Sequence, residues 1–224
     1  MIRKVSYIIL ASIVFQACKT MTLKNDEGHF YGTISYDIDL RMNVDTIYQV
    51  DKSGIYGNKL EWTFLKNGDV QQKYFGSSMD GLDLVFWDLS EKQIITKYNS
   101  SDTLFIKDAS QKFSDFVKKF ESPTSSNFIK LIFKVPANQS INEYYYMYSC
   151  DYSEEVHIDP NKYSDFFYDQ FYDIVKLTNG CIPMNQQVDF FSYKINYKTT
   201  GFNESLPRYK EKISKKKPRI YSLN

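Results

Sequence analysis

The side chains of this chain that could do chemistry are few, and they do not converge. It carries two histidines and three cysteines among 224 residues. His29 and His157 are too few for a multi-histidine metal site. Only His157 has acidic neighbours, Glu154, Glu155 and Asp159, a set that can orient an imidazole or bind a hard cation. An acidic corner ahead of a helix is more often a cap with solvated charge. The sequence has no glycine-rich phosphate loop, no paired-cysteine zinc spacing and no nucleophile elbow. It therefore predicts a protein that is not an enzyme, with no catalytic residue, no metal and no cofactor.

Cysteine chemistry is more informative. Arg3 and Lys4 precede an apolar run over residues 5–15, and Ala17 precedes Cys18. A basic start, an apolar stretch and a small residue make a secretory signal. A run of that length is short of the roughly 20 residues a spanning helix needs. Phe15-Gln16-Ala17-Cys18 resembles the lipobox of bacterial lipoproteins, whose cysteine is lipid-modified and whose chain is cut just before it. Phe15 and Gln16 depart from the usual leucine and small residue. The resemblance implies residues 1–17 as a signal peptide, Cys18 as the lipidated first residue and residues 18–29 as a tether. Each buried methylene of an acyl chain contributes about 0.8 kcal/mol, so more than one chain makes the attachment lasting. Lys19 in the second position implies sorting to the outer membrane. In an exported chain Cys150 and Cys181 can either oxidise or stay buried as thiols. Closing that loop would contribute roughly 3–4 kcal/mol.

Charge is unevenly spread. Residues 18–204 carry 19 Lys and Arg against 26 Asp and Glu, a net of −7, whereas residues 205–224 carry seven basic residues against Glu211, a net of +6. The end of the chain thus reads as a solvated, mobile basic tail. Alternatively Lys215, Lys216, Lys217 and Arg219 contact anionic headgroups, each contributing on the order of 1 kcal/mol near the surface. Nucleic acid is not an expected partner of an exported chain.

The elements that must position any site are mostly strands. Residues 30–40 alternate, with Phe30, Ile34, Tyr36, Ile38 and Leu40 on one face. Leu60, Trp62 and Phe64 alternate ahead of Asn67-Gly68, a hairpin signal, and residues 70–75 return. Further runs at 82–89, 93–98 and 103–107 extend a meander, which removes its edges if it curls closed. Phe113, Phe116, Val117 and Phe120 have helical spacing behind Ser110 and predict a short helix that ends before Pro123. Asp159-Pro160 and Asn179-Gly180 bracket a longer one, with Tyr163, Phe167, Phe171, Ile174 and Val175 as its apolar stripe. Residues 128–135 and 141–150 predict two strands between the helices, and 188–199 a closing one. The expected fold is α+β and mostly β, a single domain over residues 30–204: a curved antiparallel meander or half-barrel with one long and one short helix.

Aromatic content is high, with 19 Tyr and 17 Phe. In the run 144–148 a strand puts Tyr144, Tyr146 and Tyr148 on one side and Tyr145 and Met147 on the other. One face can line an apolar cavity, for which Trp62, Trp87, Tyr144, Tyr146 and Tyr148 are the candidates. The plainer reading is core on one side and a covering layer on the other.

In layout, the signal, the tether, the Gly-Thr-Ile-Ser-Tyr first strand, the meander and the Ile-Asp-Pro-led helix resemble Bacteroidota envelope lipoproteins of the DUF4412 or GLPGLI type. More distantly they resemble LolA/LolB-like carriers. That resemblance implies a curved sheet around an apolar cavity and a non-catalytic role in holding an acyl chain or a hydrophobic envelope component. The competing expectation is a lipid-tethered protein-interaction module, such as an assembly factor or an immunity protein. A large cavity favours the carrier, and a filled interior with an exposed aromatic patch favours the module.

Overall fold

A computed structural model describes residues 28–42, 53–121, 127–137, 142–190, 192–203 and 219–223. Cys18, the tether up to residue 27 and Lys215, Lys216 and Lys217 lie outside the described residues.

Alternating side chains produce one long sheet. Its strands are β1 Gly32–Met42, β2 Lys59–Phe64, β3 Val70–Phe75, β4 Leu82–Asp88, β5 Gln93–Tyr98 and β6 Thr103–Asp108, then β7 Asp115–Glu121, β8 Phe128–Val135, β9 Tyr144–His157, β10 Cys181–Asp189, β11 Tyr193–Asn203 and β12 Arg219–Leu223. The spatial order is β12-β6-β5-β4-β3-β2-β1-β11-β10-β9-β8-β7. All pairings are antiparallel except β12 on β6. Ile34, Tyr36 and Ile38 of β1 turn inward with Leu60, Trp62 and Phe64 of β2, as their alternation requires. Trp87 on β4 and Tyr148 on β9 stand six strands apart, roughly 29 Å in a flat sheet. Both line one cavity, so the sheet is strongly curved. The mostly β, curved antiparallel architecture expected from the sequence is the one observed.

The helices differ from expectation. Residues 113–120 are no helix: the sheet recruits 115–121 as the edge strand β7, paired with β8. Phenylalanine and valine suit a strand, and the ladder of β8 offers the backbone partners that a short isolated helix lacks. The expected long helix is also broken. Asp159 caps Asn161 N–H at 2.9 Å ahead of Pro160, but only a 3-10 turn, Pro160–Tyr163, follows. A second turn, Tyr168–Gln170, leads into a seven-residue helix, Phe171–Leu177. Asp169 (φ 48°) and Gln170 (φ 58°) are both left-handed and break the helical path. The break shifts the phase of the stripe: Tyr163, Phe171, Ile174 and Val175 are buried as expected, but Phe166 is buried in place of the half-buried Phe167. The expected stop holds. Gly180 N–H donates to Val175 O at 2.6 Å and Asn179 N–H to Lys176 O at 3.3 Å, closing the helix through left-handed Asn179 and Gly180.

Two smaller corrections concern the closing strands, and of the two states open to the cysteines the structure shows the unbonded one. Residues 188–199 are not one strand but the hairpin of β10 and β11, closed by Phe190 N–H to Tyr193 O at 2.9 Å. Residues 219–223, assigned by their charge to a mobile tail, pair as β12. Cys150 and Cys181 are free, buried thiols. Cys150 stands opposite Gln186 and Cys181 opposite His157. Five residues of β10 separate those two rungs, roughly 16 Å, and a disulfide needs its Cα atoms within about 7 Å.

Candidate functional site

The segment from Ile158 to Gly180 crosses the concave face of the sheet and acts as its cover. Ile158 N–H donates to Gly180 O at 2.9 Å, closing the segment's two ends on each other, and Phe167 N–H donates to Ala109 O at 2.9 Å. The Tyr163 hydroxyl donates to Gly68 O at 2.7 Å, pinning the cover to the β2–β3 hairpin. Lys92 and Asp165 pair at 2.5 Å on the outside. Phe171 is the keystone. Its ring lies 4.7 Å from Trp87, 5.2 Å from Tyr163 and 5.5 Å from Trp62 in edge-to-face contacts, the favoured geometry for aromatic quadrupoles.

Beneath this cover is a partly open cavity of about 110 Å³. Leu60, Trp62, Gln72, Tyr74 and Trp87 line it from β2, β3 and β4. Tyr148, Gln186, Ile195 and Tyr197 line it from the other side, and Asp169, Gln170 and Phe171 from the cover. Of the residues the sequence offered for a cavity, Trp62, Trp87 and Tyr148 stand in this wall, and Tyr144 and Tyr146 do not line it. Tyr146 stacks between Phe133 and Phe190 at 5.4 and 4.9 Å in a second core, with its hydroxyl 3.1 Å from that of Ser114. Tyr144 packs against the same core.

The wall is not apolar throughout. The indole N–H groups of Trp62 and Trp87 and the Oε1 of Gln72 are buried without a protein hydrogen-bond partner. Each residue is at most 5% exposed. An unmet buried polar atom costs about 1–3 kcal/mol, so three in one wall call for water or a ligand. Room exists for either, since a water needs only about 10–15 Å³. By contrast, Tyr36 donates to Pro183 O at 2.8 Å and Tyr148 to Gln186 at 3.0 Å.

Asp169 is the acidic group of this wall. It is exposed to the hollow space, yet the protein packed around it raises its pKa to about 6, opposed by the charge of Lys107. Burial also pushes the hydroxyls of Tyr56, Tyr74 and Tyr197 upward, with the Asp169 charge adding to the effect. They are neutral hydrogen-bonding groups at any physiological pH. A smaller hollow of about 70 Å³ lies on the other side of Asp169 and Gln170, beside Lys107, Phe113 and Phe167.

The described lining residues hold one carboxyl and the polar groups of tyrosines, tryptophans and glutamines, but no histidine, lysine, serine or cysteine. His157 sits elsewhere, its ring 5.9 Å from that of His29. The described residues contain no group of three or more candidate metal ligands. Arg219 opens β12. Sequence reasoning missed Gln72 and Asp169. Gln72 had a readable signal, since it occupies an inward position between Val70 and Tyr74. Asp169 had none, because its orientation depends on the break in the cover.

No protein-family model and no curated protein matches this sequence, so membership of the DUF4412 or GLPGLI type is not shown. Among solved structures, the chain is similar to the lipoprotein LppX of Mycobacterium tuberculosis, with 11% identity over 79% of this chain and 88% of that one and a TM-score of 0.28. It is also similar to LprF of Mycobacterium bovis, with 7% identity over 79% and 87% and a TM-score of 0.26.

Proposed function

We propose that this protein is anchored in the bacterial cell envelope through lipid on Cys18, at the outer membrane, and binds an amphipathic ligand in the covered cavity without catalysing a reaction. The observation that carries this reading is a cavity with unmet polar atoms in an otherwise aromatic wall. Its volume narrows the ligand. An engineered apolar cavity of about 150 Å³ holds benzene, so this one takes a ring or the first few carbons of a chain rather than a whole acyl group. The anchor rests on the signal of residues 1–18, and no helix among the described residues is long and apolar enough to cross a membrane.

Both tryptophans of the chain stand in the cavity wall, so intrinsic fluorescence reports its occupancy. Saturable quenching by a short alkyl amphiphile in the micromolar range, about −8 kcal/mol, is the expected result. A folded protein indifferent to every such probe would remove the reading. Cys18→Ser should abolish lipid labelling and membrane attachment, and a variant as labelled and as membrane-bound as the parent would overturn the anchor.

One observation favours the interaction module instead. Phe113, Phe116, Val117 and Phe120 on and beside edge strand β7 are exposed, as are Tyr145 and Met147 on the outer face of β9. The fluorescence experiment separates the readings, because an interaction module leaves both tryptophans unperturbed by small amphiphiles.

A further inference from the structure

We infer that the covered cavity selects a ligand whose head is an organic ammonium, held by Asp169 and Gln72 within a ring of aromatic side chains; this rests on the binding reading above. Three observations point the same way. First, Asp169 is the one charged group among the described lining residues, and no lysine, arginine or histidine stands with it in the wall. Asp169 is exposed to the hollow space, and the cation that acts on it, Lys107, lines the neighbouring hollow rather than this wall, so an ammonium arriving in the cavity gives the carboxylate a partner on this side. Second, the Oε1 of Gln72 is a buried acceptor that no protein donor meets. An alkylammonium brings up to three N–H donors, enough for Gln72 and Asp169 together. Third, Tyr56, Tyr74, Tyr197, Trp62 and Trp87 surround the same space, and aromatic faces attract organic cations.

Other heads fit less well. An anionic head could accept from the indole N–H groups of Trp62 and Trp87 but would meet the Asp169 charge with no cation in this wall. A neutral hydroxyl could meet Gln72 and one indole N–H but would bring no charge to Asp169. With an ammonium head the two indole donors are left to water. The left-handed backbone at Asp169 (φ 48°) and Gln170 (φ 58°) is an unfavourable conformation for side-chain-bearing residues. Such outliers persist where the surrounding structure demands them, commonly at ligand clamps. Here it carries Asp169 into the wall.

The test compares three probes of equal tail length, octylammonium, 1-octanol and octyl sulfate, by tryptophan fluorescence. It uses the full-length chain bearing Cys18→Ser at pH 8, where Asp169 is ionised. Octylammonium should bind at least about tenfold more tightly than octanol, and octyl sulfate most weakly, as expected for a charge pair a few ångströms apart at intermediate dielectric. Asp169→Asn keeps a residue that tolerates the left-handed backbone and should cut the octylammonium-to-octanol preference by about tenfold. Octanol or octyl sulfate binding as tightly as octylammonium would overturn the ammonium assignment while leaving the binding reading intact. A preference unchanged in a folded Asp169→Asn variant would also overturn it. No saturable change with any probe would remove the binding reading itself. Should Asp169→Asn fail to fold, the order of the three probes on the parent chain still decides.

Discussion

The concave face of the sheet holds two cores that solve the same problem differently. In the wing formed by β8 and β9, Ile129, Leu131, Phe133 and Val135 alternate strictly inward and meet Tyr146, Tyr148 and Cys150. Its two inward tyrosine hydroxyls are met: Tyr146 has Ser114, and Tyr148 has Gln186. Under the cover, around Trp62, Trp87 and Phe171, three buried polar atoms go unmet and a carboxyl faces the hollow space. The wing is built as a core. The covered half keeps polar groups in a wall at a cost in stability that a filled core avoids, as the proposed binding role would require.

The comparison can be broken most directly at its two centres. Phe171→Ala should cost about 3–5 kcal/mol, because it removes the ring that joins the cover to both tryptophans. Leu131→Ala, at the centre of the wing, should cost about 2–4 kcal/mol. Phe167→Ala, on the half-buried side of the cover, should cost less than about 1.5 kcal/mol. Urea unfolding measures all three. A Phe167 effect equal to that of Phe171 would mean that the phase of the cover is other than described.

Gln72→Leu sharpens the contrast further. Replacing an unmet buried amide by an apolar group of similar size should leave stability unchanged or raise it by up to about 1 kcal/mol, while weakening ligand binding. A destabilisation beyond about 1 kcal/mol would show that Gln72 has a structural partner.

The smallest effect expected is that of Asp169, and it depends on pH. Its folded pKa is raised from 3.8 to about 6, so the folded state holds this proton more tightly than the unfolded chain. Its contribution favours folding below about pH 4 and is lost as pH rises through 6. Asp169→Asn should therefore gain stability relative to the parent between pH 4 and pH 8. Because Asp169 keeps an open surface, solvent screening limits the gain to about 1 kcal/mol. Asp173 is also raised, chiefly by burial, but it is present in both proteins and drops out of the difference. Thermal unfolding at the two pH values measures it, and a difference that does not change with pH would sink the assignment.

Much of this molecule was decided locally. Period-two alternation places Ile34, Tyr36, Leu60, Trp62, Tyr146 and Tyr148 on the inner face, because successive side chains of any strand point to opposite sides. Asn67-Gly68 and Asn179-Gly180 end their elements through backbone conformations that those residues tolerate. Other features depend on neighbours far away in sequence. Phe113, Phe116, Val117 and Phe120 satisfy a helical period, yet β8 offers hydrogen-bonding partners and wins the segment for the sheet. The two left-handed residues at 169 and 170 expose Phe167 and bury Phe166, a shift that a continuous helical period cannot anticipate. The polar side chains that distinguish a site from a core, Gln72 and Asp169, can be seen in the sequence as residues. Whether they are met is settled only when curvature brings β4, β9 and the cover around one space, since an unmet hydrogen bond is a property of everything that surrounds the atom.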